Sequence, residues 1–261
     1  MTASNYLFPI LYTVFVWWFS TGVILYIVGL RSRTFKWSML AATALLMFAL
    51  AGLYVSKSDA TVSGAYLAFS CALAVWAWQE IGFLLGYVTG PRREVCPDGA
   101  VGWPRAGLAF QAVLHHEIGL LALGAAVVAL TWGGSNLTGL WTFLVLWVMR
   151  QSAKLNIFLG VRNLYESFLP NHLKYMHTYF SRKAMNPLFP VSIVLGTGVA
   201  WSIWQGAFAQ GADLFEATSL TFVAILLSLA VLEHWFLVIP FPSEALWSWG
   251  MRSRDAASKR G

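Results

Sequence analysis

The chain has 261 residues, of which 58% are hydrophobic and only 11% charged, against roughly 45–50% and about 25% in soluble domains. So few charges cannot cover a soluble fold of this size, and the same figures exclude a disordered chain, a disulfide-rich secreted module and a coiled coil. The net charge of +6 is spread over single or paired cations between apolar stretches, which excludes a nucleic-acid-binding arm and indicates a polytopic membrane protein.

Seven apolar stretches are long enough to cross about 30 Å of hydrocarbon, which takes roughly 20 helical residues. They lie near Tyr6–Leu30, Trp37–Val55, Ser63–Thr89, Gly107–Trp132, Leu137–Gly160, Leu188–Phe208 and Phe215–Pro240. The first has neither a basic leader nor a small-residue cleavage site and is too long for a signal peptide, so a retained span is expected. Only Trp132-Gly-Gly-Ser-Asn136 separates the fourth from the fifth, which predicts a tight helical hairpin. A long loop over residues 161–187 and a tail over 241–261 remain outside the spans. No repeat, linker or low-complexity segment divides the chain, so residues 1–261 read as a single all-α transmembrane domain.

Loop cations set the orientation. Arg31, Arg33 and Lys36 fill the first loop, Arg92, Arg93 and Arg105 the third, Arg162, Lys174, Arg182 and Lys183 the fifth, and Arg252, Arg254, Lys259 and Arg260 the tail. The intervening loops carry Lys57 alone, so fourteen cations face one, predicting a periplasmic N-terminus and a cytoplasmic C-terminus. Cys71 and Cys96 are far apart and differ in setting, which gives no support to a disulfide or a cysteine metal site. Half of the fourteen tryptophans fall near predicted interfaces, as an aromatic belt requires. Trp76, Trp78 and Trp147 lie deeper, where helix packing or stacking on a pigment are the two readings.

Ionisable groups inside spans are expensive and face the bundle interior. Here they are Glu80, His115, His116, Glu117, Arg150, Lys154, Glu233 and His234, with Asn156 beside them. Measured from the predicted span ends, four helices bring charge into one layer of the cytoplasmic half, with His172 and His177 in the loop just beneath. Two readings stay open. In the first, Glu80, Glu117 and Glu233 neutralise Arg150 and Lys154, and histidines and Asn156 complete the hydrogen bonds. In the second, His115, His116, Glu117, Glu233 and His234 supply ligands to a metal ion or a tetrapyrrole. No Glu-x-x-His pair of the di-iron bundle kind is present. His172-x4-His177 resembles one histidine box of membrane desaturases, which need more histidines than the five available here. A retinal protein is excluded because the last span has no lysine for a Schiff base.

The segment Lys154-Leu-Asn-Ile-Phe-Leu-Gly-Val-Arg-Asn-Leu-Tyr-Glu-Ser-Phe-Leu-Pro-Asn-His172 and its continuation to Pro190 is similar to the signature region of the PuhE-type photosynthetic complex assembly family of purple phototrophic bacteria. Trp78-Gln-Glu80, His115-His-Glu117 and Leu232-Glu-His-Trp235 resemble that family's other polar markers, and length and hydropathy match over nearly the whole chain. The resemblance implies a multi-pass protein of the cell inner (intracytoplasmic) membrane that supports the build-up of the reaction-centre and light-harvesting complex. Its implied partners are reaction-centre and core antenna subunits and membrane lipids, not nucleic acid. No catalytic residue is implied. Bacteriochlorophyll or a metal ion is a candidate cofactor, and a metal-dependent enzyme of pigment metabolism is the alternative. The resemblance marks Glu80, His115, His116, Glu117, Asn156, Glu233 and His234 in the membrane and Arg162, Asn163, Glu166 and His172 in the loop, where His177 is a further candidate. That loop interleaves cations with Tyr165, Phe168, Tyr175, Tyr179 and Phe180, a composition suited to a membrane surface or a partner's cytoplasmic domain.

Overall fold

A computed structural model describes residues 3–164 and 166–258; Tyr165, Lys259 and Arg260, counted above, lie outside the described residues. Seven long helices follow one another: α1 (Ser4–Val28), α2 (Phe35–Ser56), α3 (Val62–Leu84), α4 (Gly102–Thr131), α5 (Thr138–Leu159), α6 (Leu188–Ala207) and α7 (Leu214–Phe236). A shorter α8 (Ser248–Ser258) closes the described chain. Among the described residues there is no strand, only an isolated bridge between Val161 and Arg182. Six of the long helices are long and apolar enough to cross a membrane, and the protein is an all-α, multi-pass membrane protein. The exception is α5, diluted by Arg150, Gln151, Ser152, Lys154 and Asn156. It packs against α3, α4 and α7 and runs up and down with the others.

The alternation is visible in contacts at the two ends. At one, Asn136 N–H donates to the Lys57 carbonyl at 2.8 Å, Tyr6 OH to the Ala207 carbonyl at 3.2 Å, and Thr138 Oγ1 meets Ser219 Oγ at 2.7 Å. These tie the N-terminus of α1 and the α2–α3, α4–α5 and α6–α7 connections together. At the other end Asn186 Nδ2 donates to the Asn156 and Gly160 carbonyls, and Asn163 Nδ2 to those of Phe236 and Ile239. Asn163 and Asn186 thus bring side-chain donors to the C-terminal ends of α7 and α5, where backbone donors run out.

Helices α3 and α7 form the centre and α6 is the most peripheral. Phe69 of α3 stacks on Phe222 of α7 at 4.4 Å, edged by Tyr12 of α1 and Tyr66. Trp76 and Trp147 both edge Phe143, while Trp78 Nε1 donates to Thr43 Oγ1 at 3.0 Å. The deep tryptophans are therefore used by helix packing.

Helix α3 ends at Leu84, five residues before the expected Thr89. Gly86 adopts φ 85°, and the Gly86 and Tyr87 N–H groups return to the carbonyls of Phe83 and Gly82, the Schellman arrangement that stops a helix at a left-handed glycine. The apolar run continues past this point, but Thr89 folds back on α4, its carbonyl accepting from His116 N–H at 2.9 Å. Helix α4 in turn starts at Gly102, earlier than expected, because Arg105 anchors its first turns to the carbonyls of Phe158 and Tyr179. The C-terminal α8 lies along the final turns of α1. Gly22 admits the Trp249 ring so closely that a Cβ would lie 2.0 Å from it, and Ser253 Oγ donates to the Tyr26 carbonyl.

Alternating charge and alternating helix direction together predict opposite locations for the two ends. A reporter active only in the periplasm should be active when inserted at Lys57 or Asn136 and silent at the C-terminus; activity at the C-terminus would require an even number of crossings.

Candidate functional site

Helices α3, α4, α5 and α7 bring the ionisable groups into one layer, but the layer is partitioned into pairs. Arg150 Nη2 meets Glu80 Oε2 at 2.5 Å, and Lys154 Nζ meets Glu117 Oε1 at 2.7 Å. Gln151 Nε2 donates to the other Glu117 oxygen at 2.6 Å, so that carboxylate is satisfied on both sides. Arg150 and Lys154 are four residues apart and share one face of α5, yet one turns to α3 and the other to α4. Glu233 joins neither pair. It accepts from Trp17 Nε1 of α1 at 2.7 Å, because its position on α7 faces α1 and α3 rather than the α4–α5 hairpin. The expectation that three carboxylates share the two cations is corrected to two carboxylates and two cations. With α3 ending early, Glu80 and Glu233 also lie only about one helical turn, roughly 5 Å, from the ends of their helices.

The histidines separate as well. His116 is buried; its Nδ1 accepts from Gln79 Nε2 at 3.0 Å, its carbonyl accepts from the same amide, and its ring packs 4.6 Å from Phe83. His115, one residue earlier, is exposed on the outer face of α4. His234 is buried, donates from Nδ1 to the Ala230 carbonyl at 2.8 Å, and meets Ser152 Oγ through Nε2 at 2.9 Å. Ser152 continues to Ser192, and Asn156 donates to both the Ser152 carbonyl and Ser192 Oγ. His234 and Asn156 thus belong to a polar seam that joins α5, α6 and α7. The five residues read as metal-ligand candidates therefore occupy separate places, and among the described residues no three His, Cys, Asp or Glu side chains converge on one point. Gln79 and Ser152 were missed as site residues; both stand beside marked positions, at Trp78-Gln-Glu80 and between Arg150 and Lys154.

Beneath the layer the long loop forms a seat for the helix ends. His172 donates from Nε2 to the Leu84 carbonyl at 3.0 Å, capping α3 where Gly86 turns the chain. Tyr179 OH accepts from Arg92 Nε and donates to the Glu94 carbonyl, while Arg182 pairs with Glu166 at 2.6 Å on the surface. Arg162 is exposed. The His177 ring lies 5.8 Å from Phe180, and its buried Nε2 has no hydrogen-bond partner among the described residues. His172 and His177 therefore do separate work and do not act as one histidine box. Burial lowers the pKa of both, most directly by desolvating the charged ring, with Arg93 and Arg254 adding to the effect at His172 and Lys174 and Arg182 at His177.

A family described as a protein of unknown function (DUF3623) matches residues 3–258. The chain belongs to that family. It is also 41% identical over 247 residues to a Rhodobacter capsulatus protein described as an uncharacterized 30.4 kDa protein in the puhA 5' region, covering 92% of this chain and 89% of that one. No solved structure matches.

The two ion pairs differ in exposure, which predicts different couplings. Lys154 and Glu117 are 27% and 16% exposed, whereas Arg150 is 43% exposed. Breaking one partner of a buried pair costs about 3–5 kcal/mol, so Glu117→Gln should be severe and Lys154→Met added to it should restore much of the loss. The corresponding Glu80→Gln and Arg150→Met cycle should show a smaller coupling, because Arg150, the more exposed of the two cations, can swing toward the membrane interface when its partner is lost. Thermal unfolding of the four single and two double variants in detergent measures both.

The loop histidines predict a direction with pH. A histidine whose folded-state pKa is lowered binds fewer protons folded than unfolded, so its contribution is intact above the unfolded value of about 6.5 and declines as pH falls below it. Stability should therefore drop between about pH 7.5 and 5.5, and less steeply in His172→Gln; an equal slope in that variant would contradict the assignment.

Proposed function

We propose that this protein is an assembly factor of the photosynthetic membrane, of the PuhE type, supporting build-up of the reaction-centre and light-harvesting complex in the inner (intracytoplasmic) membrane. The observation that carries this reading is the near full-length similarity to the protein of the puhA 5' region, together with the loop markers described above. Geometry supports a scaffold over an enzyme of pigment metabolism. Each carboxylate and buried imidazole of the layer already serves a helix contact, and such links fix helix positions without leaving a shared reaction centre. The loop presents cations on a platform whose backbone is tied to helix ends, a rigid face for the cytoplasmic side of a partner or for anionic headgroups. If a tetrapyrrole is handed over or held, His115 is the imidazole positioned to ligate it from outside the bundle, since His116 and His234 are enclosed.

Deleting the gene in a phototroph tests the proposal. Mature reaction-centre–antenna complex should fall while respiratory growth is unchanged, and copurification should recover reaction-centre or core antenna subunits. Build-up of one discrete pigment precursor would instead indicate a missing enzymatic step, and normal complexes with normal pigments would overturn the proposal.

A further inference from the structure

At the end of the bundle that carries the N-terminus, α1, α3 and α7 line a cavity of about 660 Å³, within the size range of small-molecule sites. Its lining on α1 runs from Ser4 to Phe15, about 16 Å of helix. The first two turns of α3 and α7 supply Val62, Tyr66, Leu214 and Thr218. Core packing holds the inner wall: Tyr12 meets Tyr66 edge to face at 5.0 Å, and both edge Phe222, which stacks on Phe69. The rim at Phe8, Leu11 and Phe15 is apolar and exposed, so the cavity opens towards the lipid.

Polarity is graded along that length. Ser4 and Asn5 stand at the outer end, with Tyr66 and Thr218 one turn into their helices, whereas Leu11 and Phe15 line the deep end. Two of the hydroxyls are already engaged: Tyr12 OH is bonded to Ser70 Oγ at 2.7 Å, and Thr218 Oγ1 donates to the Leu214 carbonyl at 2.7 Å. The Tyr66 hydroxyl has no hydrogen-bond partner among the described residues. Among those residues, no charged side chain lines the cavity. Lys57, the lysine of this end, places its Nζ 4.8 Å from the centre of the Tyr54 ring. The acids Asp213 and Glu216 stand exposed on either side of Leu214. An anionic headgroup therefore meets like charge and no counter-ion, while an uncharged oxygen finds the Tyr66 hydroxyl.

We propose that this cavity binds a single-chain amphiphile with an uncharged, oxygen-bearing head, its chain lying along α1 from Phe8 to Phe15 and its head bonded to Tyr66. The full-length protein in phosphatidylcholine nanodiscs is photolabelled with a monoalkylglycerol that carries a diazirine on its chain, and the modified peptides are mapped by mass spectrometry. Labelling should saturate and concentrate on residues 4–15 and 62–66. Dodecylglycerol should displace the label at concentrations at least about tenfold lower than dodecyl phosphate. Tyr66→Phe should weaken labelling about three- to tenfold, the loss of one hydrogen bond. Leu11→Trp, which fills the cavity from an exposed position, should abolish the focus on α1, whereas Leu45→Trp, similarly exposed on α2, should change nothing. Unsaturable label spread over all lipid-facing helices would overturn the inference and show a groove filled by bilayer chains alone. Equal displacement by the phosphate, or unchanged labelling in whichever of the two cavity variants accumulates, would overturn it as well.

Discussion

Helix α5 places Arg150, Gln151, Ser152, Lys154 and Asn156 within seven residues, and hydrocarbon accepts none of them unpaired. The rest of the bundle is organised by that constraint. Helix α3 must bring Glu80 to Arg150, α4 must bring Glu117 to Lys154 and Gln151, and α6 and α7 must bring Ser192 and His234 to Ser152. A helix too polar to cross by itself is thereby accommodated by four neighbours, each held at a fixed rotation about its own axis. Apolar contacts could slide or rotate by a residue at little cost; a lysine that must end on one carboxylate cannot.

This explains why a seam of polar residues coexists with a chain so poor in charge. The pairs contribute little net stability against well-packed apolar residues, but they discriminate strongly between the correct helix arrangement and rotated ones. That trade suits the scaffold role proposed above, because what a scaffold offers a partner is the fixed spacing of its loops. Asn163, Asn186 and Arg105 extend the same logic to the end of the bundle that carries the long loop, where side chains secure backbone carbonyl oxygens at helix ends and hold the loop in place.

Much of the architecture was legible in the sequence for simple reasons. Apolar runs of sufficient length mark helices, and alternating cations follow their direction. Arg150 and Lys154 on one helix with Glu80 and Glu117 on others already implied pairing. What the sequence did not disclose was which carboxylate each cation takes, since that depends on how far each helix is rotated. Glu233 looked equivalent to Glu80 and Glu117, yet its place on α7 turns it to Trp17. The end of α3 was hidden because Leu85–Thr89 stays apolar after the turn at Gly86, and hydropathy does not register a left-handed glycine. His172 as a cap and α8 as a cover for α1 join residues far apart in the chain, and such contacts leave no local pattern.

The cover of α1 has a consequence for biogenesis. Trp247 donates to the Trp18 carbonyl and Ser253 to that of Tyr26, contacts spanning 229 and 227 residues. Chains are synthesised from the N-terminus, so α1 is made more than two hundred residues before the segment that occupies its Gly22 surface. The cover of α1 is therefore set by the arrival of α8 rather than by the insertion of α1 itself.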